Sequence, residues 1–224
     1  MKGFNSEIIF LFCIVVLAVF IRIMAMQIMP DYLIVDNPTY QAAANDLLRT
    51  GTISNHYIMP LYPLVLALFG GGAFAQTLVG LISGGITTIL IWCLSRHIFL
   101  EKHVGLVAAL IYALYPMAIF CGVKGLTESL FIMFLIAAFL SMYKDKITMA
   151  SLFFVLTILS RPVADLFAPF VIMWFTVIVK KDRPIIVLKN LSIYGLIYLV
   201  MMSPWWLHNY NKHHEFIRLN LGYG

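Results

Sequence analysis

Long apolar runs alternate with short polar segments along almost the whole chain. A helix that crosses a bilayer needs about 20 mostly apolar residues. Runs of this length, or somewhat shorter, occur at residues 8–29, 72–95, 104–121, 127–143, 147–160, 163–179 and 185–204. The pattern therefore predicts an all-α, polytopic integral membrane protein with about seven transmembrane helices.

Two places break this pattern. Arg161 and Pro162 alone separate the fifth and sixth runs, and a proline disfavours helix in the residue before it. We expect a sharp corner there. The apolar segment 60–70 is too short to span, and its flanking prolines and glycines predict a short helix at the membrane interface.

The first loop carries its own helical signal. Asp36 or Asn37 can cap a helix, Pro38 suits its first position, and Gly51 suits its end. Apolar side chains recur between them at helical spacing, at Tyr40, Ala43, Ala44, Leu47 and Leu48. We expect an amphipathic helix on the membrane surface, with Asp36 at the end where the helix dipole favours a charged carboxylate.

These segments predict one module over residues 1–224. It comprises a first span at 8–29, an exoplasmic loop at 30–71, six further spans within 72–204, and an exoplasmic tail at 205–224. Gly80 and Gly84 are spaced four apart in the second span, which is typical of a surface where two helices pack closely.

Composition supports the membrane assignment. Hydrophobic residues make up 62% of the 224 residues and charged residues 11%, whereas soluble domains carry about 25% charged residues. The net charge of +5 does not indicate nucleic-acid binding, because the basic residues lie in short clusters between apolar runs. The three cysteines show no metal-ligand spacing.

The distribution of Lys and Arg predicts the orientation. With the N-terminus in the cytoplasm, the cytoplasmic side receives Lys2, Arg96, Lys102, Lys144, Lys146, Lys180, Lys181, Arg183 and Lys189. The opposite side receives the smaller set Arg22, Arg49, Lys124, Arg161, Lys212 and Arg218. Positive charge favours the cytoplasmic side, so we expect a cytoplasmic N-terminus and an exoplasmic C-terminus.

Several charged residues of the exoplasmic side are candidates for chemistry. A carboxylate at the start of a span, such as Glu128, is usually either functional or paired, and Lys124 is a possible partner. Arg161 is either half of an anchoring ion pair with Asp165 or a clamp for an anion. Arg22, inside the first span, either extends to the interface or meets a carboxylate or phosphate.

The segment after the last span is aromatic and basic. Trp205 and Trp206 are typical of an aromatic belt at the membrane interface. His208 adds a further donor close to this level. His213 and His214 are adjacent and lack a third spaced ligand, so they do not predict a zinc site.

Taken in order, several short motifs resemble the GT-C glycosyltransferases. The similar group contains the protein O-mannosyltransferases and the bacterial aminoarabinose transferase, the family-39-like enzymes. The resemblance rests on Arg22, on Asp36 with Tyr40, and on the motifs YPLVLAL at 62–68, AQTLVG at 75–80, ALYP at 113–116, LTESLF at 126–131, LSRP at 159–162 and PWWLHNY at 204–210. It covers nearly the whole chain.

The resemblance implies an inverting transfer of a sugar from a polyprenyl-phosphate carrier to a lipid, glycan or protein acceptor on the exoplasmic side. Asp36 would be the general base and Glu128 the second catalytic acid. Arg161, Lys124, Arg22 and His208 would bind the donor phosphate, while Tyr40 and Tyr62 would border the sugar pocket. No cofactor is required, although a divalent cation is compatible with the chemistry. The location would be a plasma membrane, the inner membrane in a bacterium.

One alternative function stays open at this point. Members of the group are commonly longer, with more spans and a carboxyl-terminal exoplasmic domain. The chain can therefore also be a non-catalytic subunit that binds the lipid carrier or serves as a scaffold, with a second subunit supplying the carboxyl-terminal half. A transporter is less favoured, because the polar residues gather at the outer ends of the spans and not at the bilayer midplane.

Overall fold

The described part of the chain is entirely helical outside its turns and loops. This computed structural model describes residues 2–29, 36–55, 57–99 and 101–220, without the side chains of residues 2–5, 36, 37 and 102. In these residues the helices are α1 (Lys2–Ile28), α2 (Asp36–Thr50), α3 (Leu61–Leu68), α4 (Ala73–Ile98), α5 (Lys102–Leu114), α6 (Pro116–Val123), α7 (Thr127–Tyr143), α8 (Ile147–Ser160), α9 (Phe167–Trp174) and α10 (Pro184–His213). The predicted all-α fold class is confirmed.

Several helices suit a bilayer by length and composition. Within the described ranges, four stretches are long and apolar enough to cross it: Ser6–Ile28, Ala73–Ile98, Pro162–Val179 and Pro184–His213. A fifth span results if the bent pair His103–Leu114 and Pro116–Val123 is one crossing. The apolar helices α7 and α8 are shorter, with 17 and 14 residues. The protein is therefore a polytopic helical membrane protein, and the number of seven spans stays a prediction.

The run predicted as one span at 104–121 is broken in the middle. Helices α5 and α6 meet at Tyr115 and are bent by 54°. Tyr115 is extended, with φ −68° and ψ 115°, and Pro116 opens α6. Proline lacks the N–H of a continuous helix and excludes helical backbone from the residue before it, so the sequence breaks the helix here.

The last helix, in contrast, continues past the expected end at residue 204. Helix α10 includes Pro204 and ends at His213. A proline at 204 cannot bond the Val200 carbonyl, but the Ser203 hydroxyl donates to that oxygen at 2.9 Å. The missing backbone bond is therefore replaced, and the first nine residues of the predicted tail belong to the helix.

The short helices of the first loop agree with their sequence signals. Helix α2 begins at Asp36, and Gly51 follows it with φ +71°. Helix α3 is closed by Gly70 and Gly71, whose N–H groups donate to the carbonyls of Ala67 and Leu66. Gly70 has φ +92°, a conformation that glycine adopts without strain. On the apolar side of α2, Ala43 and Ala44 are buried against the bundle, whereas Leu48 is 54% exposed.

Helix α4 packs closely against α6 through glycine. A Cβ atom added to Gly80 would lie 1.9 Å from the carbonyl oxygen of Gly122, which leaves no room for any side chain. The predicted small-residue packing surface at Gly80 is thereby confirmed. On the other side of the molecule, α8 packs against both α7 and α10, and Phe154, Ile158, Ile172 and Met202 form the centre of that core.

Candidate active site

Glu128 and Arg161 meet at one end of the helix bundle. Glu128 lies in the first turn of α7, and Arg161 follows the last residue of α8. Because α7 and α8 are antiparallel neighbours, these two positions come together, and the side chains form an ion pair. The Arg161 Nη1 atom also lies 3.4 Å from the Thr127 hydroxyl oxygen. Glu128 is therefore the ion-pair partner of Arg161. The expected alternative, a pair between Arg161 and Asp165, is wrong.

The ion pair is partly open to its surroundings. The side chains of Glu128 and Arg161 are 34% and 39% exposed. Ion pairs at this level of exposure typically contribute only about 0–1 kcal/mol to stability, because solvent screens them. An incoming anion can thus replace the carboxylate on Arg161 at low cost.

Arg161 lines a cleft of about 520 Å³. Four segments form this cleft, which we call the Arg161 cleft; its lining residues are Tyr40, Tyr57, Ile58, Met59, Ser160, Arg161, Pro162, Val163, Leu219 and Asn220. Tyr40 from α2 and Arg161 from the α8 corner, both anticipated as site residues, therefore lie in one cavity.

Tyr62 is a buried support beneath this cleft. Its side chain is 1% exposed, and its hydroxyl donates to the Gly125 carbonyl at 2.5 Å. Burial, reinforced by Tyr40 and Glu128, raises the pKa of Tyr62 well above its usual range, so the phenol keeps its proton and remains a donor. Its ring packs edge-to-face against Tyr40 at 5.1 Å. Tyr62 does not line the Arg161 cleft but connects Tyr40 with the chain just before Glu128.

Helix α2 is attached to the bundle near its start. The Gln41 side-chain nitrogen donates to the Gln76 side-chain oxygen of α4 at 2.6 Å. Asp36 is the first residue of α2, one turn before Tyr40. The side chain of Asp36 lies outside the described residues, so its role as base stays a prediction.

Arg22 lies away from the cleft, inside the bundle. It is wholly buried, donates from Nη1 to the Ala18 carbonyl at 2.9 Å, and lies 5.8 Å from the Tyr112 ring centroid. Gly84 makes room for it, since a Cβ atom there would lie 2.6 Å from Arg22 Nε. Among the described residues, Nε and Nη2 have no hydrogen-bond partner. Arg22 is therefore not among the described residues that line the Arg161 cleft.

The two remaining phosphate candidates are also outside the Arg161 cleft. Lys124 is buried at the end of α6, where it follows Val123. His208 Nε2 lies 2.9 Å from the Ile53 carbonyl oxygen, which accepts a second hydrogen bond from Lys212 at 3.2 Å. The His208 ring stacks on Trp205 with 5.5 Å between centroids. In this arrangement His208 holds the loop after α2.

A second cavity of about 310 Å³ lies beside the first. Its walls are mostly apolar and come from the end of α2, from α3, and from α8 and α10; they include Leu47, Ile53, Leu61, Leu64, Leu159, Met201, Trp205 and His208. Leu159 lines this apolar cavity, and the next residue, Ser160, lines the Arg161 cleft. A polar and an apolar cavity are therefore neighbours on either side of the end of α8.

Sequence reasoning missed the segment 215–220, which closes one side of the cleft. The Trp205 and Trp206 indoles donate to the carbonyls of Leu219 and Arg218, each at 2.7 Å. Asp165, buried beneath, accepts a hydrogen bond from Tyr198 at 2.7 Å and forms an ion pair with Arg218. No local pattern indicates these contacts, because their partners are distant in sequence. The two tryptophans thus hold the chain as well as suiting an interface.

The described residues contain no group of three or more His, Cys, Asp or Glu side chains that could hold a metal ion. Among the described residues that line the cleft, the positively charged side chain is that of Arg161. The expectation that the reaction requires no metal stays a prediction.

Comparison with known families gives one match. The family model of the dolichyl-phosphate-mannose-protein mannosyltransferases matches residues 58–208, about two thirds of the chain. No curated protein and no solved structure matches significantly. The matched range contains Tyr62, Lys124, Glu128, Arg161 and His208, whereas Arg22, Asp36 and Tyr40 precede it. The chain belongs to the dolichyl-phosphate-mannose-protein mannosyltransferase family, within the GT-C type of membrane glycosyltransferases.

Proposed function

We propose that the protein is an inverting glycosyltransferase that moves a sugar from a polyprenyl-phosphate carrier to an acceptor at the Arg161 cleft. The observation that carries the proposal is the Glu128–Arg161 ion pair, half-open at the rim of a cavity that also holds Tyr40. A phosphate-bearing donor needs a cation that can exchange its carboxylate partner for phosphate, and a partly exposed arginine provides one.

Arg161 stabilises the transition state, in which the bond between sugar and phosphate is breaking, more than it stabilises the bound donor. The donor is a phosphodiester with one negative charge, and the departing carrier is a phosphate monoester with a second developing charge. A guanidinium beside the leaving oxygen therefore binds the transition state more strongly than the donor. Glu128, released from Arg161 by the phosphate, then contacts either the sugar or the acceptor.

Asp36 acts as the general base in this proposal. It removes the proton of the acceptor hydroxyl while the acceptor oxygen attacks the anomeric carbon, and the carbon–oxygen bond to phosphate breaks on the opposite face with its electron pair. Support comes from the start of α2 at Asp36, one turn before Tyr40 in the cleft. Arg22, Lys124 and His208 are not among the described residues that line the Arg161 cleft, although His208 lines the neighbouring apolar cavity; their roles as phosphate ligands are part of the proposal.

The apolar cavity beside the cleft suits the carrier. A prenyl chain that enters from the bilayer would lie along Leu61, Leu64 and Leu159, with its phosphate next to Arg161. The end of α8 contributes Leu159 to one cavity and Ser160 to the other, so a single ligand would pass over the end of this helix to occupy both. Tyr62 maintains the geometry from below through its bond to Gly125.

The proposed orientation puts the Arg161 cleft on the exoplasmic side, with the N-terminus in the cytoplasm and the C-terminus outside. The supporting observation is the excess of basic residues at the opposite end of the bundle, where Arg96, Lys144, Lys180 and Arg183 lie at helix ends. We place the protein in a plasma membrane, the inner membrane in a bacterium, without a required metal. The acceptor is a lipid, glycan or protein, and a second subunit is compatible with the scheme.

The test begins with the lipids that copurify with the protein. Mass spectrometry of the extract would name the donor if it contains a sugar-charged polyprenyl phosphate. Transfer from that donor is then measured in reconstituted vesicles for wild type, Asp36→Asn and the control Asp46→Asn, which removes the same charge farther along α2. We expect Asp36→Asn to abolish transfer and Asp46→Asn to retain it.

Full activity of Asp36→Asn would refute the assignment of the base. If the carrier copurifies but wild type transfers no sugar, the non-catalytic alternative is favoured, in which the chain binds the carrier or serves as a scaffold. If no polyprenyl lipid copurifies or binds, the donor class itself is wrong.

A further inference from the structure

A second charged cleft lies at the end of the bundle opposite to Arg161. It has a volume of about 230 Å³ and is lined by Trp92, Cys93, Arg96, His97 and Lys144. Helix α4 has Gln76, near α2, in its first turn and Arg96 in its last turn. Helix α7 has Glu128 in its first turn and ends at Tyr143, just before Lys144. The two clefts are therefore separated by the length of these helices, and we call this one the Arg96 cleft.

Arg96 is held in place within this cleft. Its Nε lies 3.5 Å from Oε1 of Glu7, a buried carboxylate of α1 that is 5% exposed. The guanidinium carbon lies 5.1 Å from the Trp92 ring centroid, and the Trp92 indole donates to the same Glu7 oxygen at 3.3 Å. Helix α5 supports the pair, since a Cβ atom at Gly105 would lie 3.0 Å from Trp92.

This arrangement leaves donors that face outward. Among the described residues, the Glu7 carboxylate engages Arg96 through Nε, which leaves the two terminal nitrogens for another acceptor. A guanidinium held by one edge presents a preformed fork that suits a phosphate. Arg96 is 31% exposed, so the fork is accessible from the cleft.

The charges around the cleft are unbalanced. Arg96 and Lys144 are cations, His97 adds a further donor, and none of the described lining residues is acidic. Asp145, the next acid along the chain, forms an ion pair with Lys180 at 2.6 Å. Glu7 balances one of the two cations, so the Arg96 cleft keeps an excess of one positive charge that suits a bound anion.

The location of the cleft indicates which anion this is. Arg96 lies in the last turn of α4, one of the helices that suit a bilayer, and therefore at the depth where hydrocarbon gives way to headgroups. Large apolar side chains beside it are exposed, among them Phe99 at 51%, Val107 at 54% and Ile111 at 64%. If the phosphate of a lipid lies in the cleft, the acyl chains of that lipid would therefore lie along an apolar protein surface. Basic pockets between transmembrane helices are known to bind such headgroups.

We propose that the Arg96 cleft binds the phosphate of an anionic phospholipid from the leaflet opposite to the Arg161 cleft. The lipid connects the end of α4 with the turn between α7 and α8. It compensates the charge of Lys144 and accepts hydrogen bonds from the terminal nitrogens of Arg96 without displacing Glu7. This binding site is independent of the sugar donor and of its transfer.

Cys93 provides a local reporter for the test. In a Cys13→Ser background, which removes the exposed cysteine of α1, the labelling rate of Cys93 by a maleimide is measured in detergent. Phosphatidylglycerol, phosphatidylcholine and inorganic phosphate are titrated separately. Each variant is compared with its own rate without lipid, so a change in intrinsic thiol reactivity cancels.

We expect phosphatidylglycerol alone to protect Cys93. Lys144→Gln should require about fivefold more phosphatidylglycerol for the same protection, since one basic residue near a membrane surface contributes on the order of 1 kcal/mol, and Lys144→Arg should resemble wild type. Lys146→Gln, which removes an equal charge two residues away and outside the lining, is the control. His97→Ala, which removes the donor, provides a second variant if Lys144→Gln does not fold.

Three results would overturn the proposal. Equal protection by phosphatidylcholine would show that the phosphate charge is not recognised. Protection by inorganic phosphate at the same concentration would assign the cleft to a free anion. Equal weakening by Lys144→Gln and Lys146→Gln would attribute the effect to surface charge in general.

Discussion

The Glu128 carboxylate and the Arg161 guanidinium form an ion pair at the junction of the start of α7 and the end of α8. Both side chains are about one third exposed, so the pair adds little to stability. Its position at the rim of the Arg161 cleft is better explained by ligand binding than by structural support. This distinction can be tested on the two residues separately.

Arg161→Gln should lower sugar transfer by a factor on the order of 10²–10³, because it removes one charged donor beside the leaving phosphate. The melting temperature should change little, since a partly exposed pair is lost. Transfer kinetics and a thermal unfolding curve of the same preparation measure both quantities. If the melting temperature falls together with the transfer activity, the ion pair is instead structural.

Glu128→Gln should affect a different kinetic quantity. It leaves Arg161 available, so the binding of the donor should be retained or improved while turnover falls. Measuring KM and kcat separately distinguishes these effects. If Glu128→Gln weakens donor binding as much as Arg161→Gln does, then the two residues act only as a pair.

Tyr62→Phe should destabilise the protein by about 1–3 kcal/mol, since the buried Gly125 carbonyl loses its donor. Below pH 10, the usual pKa of tyrosine, the full effect should be present. Because the pKa of Tyr62 is raised in the folded protein, wild type loses stability relative to the variant as the pH rises above about 10. Thermal unfolding at neutral and alkaline pH would measure this; a difference that grows with pH would contradict it.

Gly80→Ala should be strongly destabilising, by about 1–3 kcal/mol or more, because its Cβ atom would lie 1.9 Å from a backbone oxygen of α6. Gly85→Ala in the same helix is the control. Its Cβ atom would meet only Val19 at 3.7 Å, and alanine favours helix over glycine by about 1 kcal/mol. The yield of folded protein and its melting temperature should fall for the first and be maintained for the second.

Arg218→Gln should loosen the segment 215–220, since among the described residues buried Asp165 then keeps only the Tyr198 hydroxyl as a partner. Amide hydrogen exchange of this segment should become about tenfold faster, in line with the loss of one charged hydrogen bond. Arg49→Gln, at an exposed position of α2, should leave the exchange unchanged. Unchanged exchange in Arg218→Gln would mean that the remaining contacts of the segment, among them those of the two tryptophans and of Asn220 with Tyr57, hold it without Arg218.

The all-helical fold, the positions of most helices and the family could be predicted from the order of the residues. These features depend on local chemistry, such as the length of apolar runs, the glycines after α2 and α3, and proline at the corner after Arg161. Local chemistry also contains the signal for the break within the apolar run 104–121, since Pro116 disfavours helix at Tyr115. It does not reveal that Ser203 compensates for Pro204, which depends on the rotamer of one hydroxyl.

Pairing between distant residues could not be predicted in this way. The sequence suggested Lys124 as a partner of Glu128 and Asp165 as a partner of Arg161, since those residues are near in the chain. Helix packing instead joined Glu128 with Arg161 and Asp165 with Arg218. The same packing buried Tyr62 and Arg22, which the sequence had assigned to the site. A charged side chain bonds to whatever the assembled helices bring within reach, so its partner is a property of the fold.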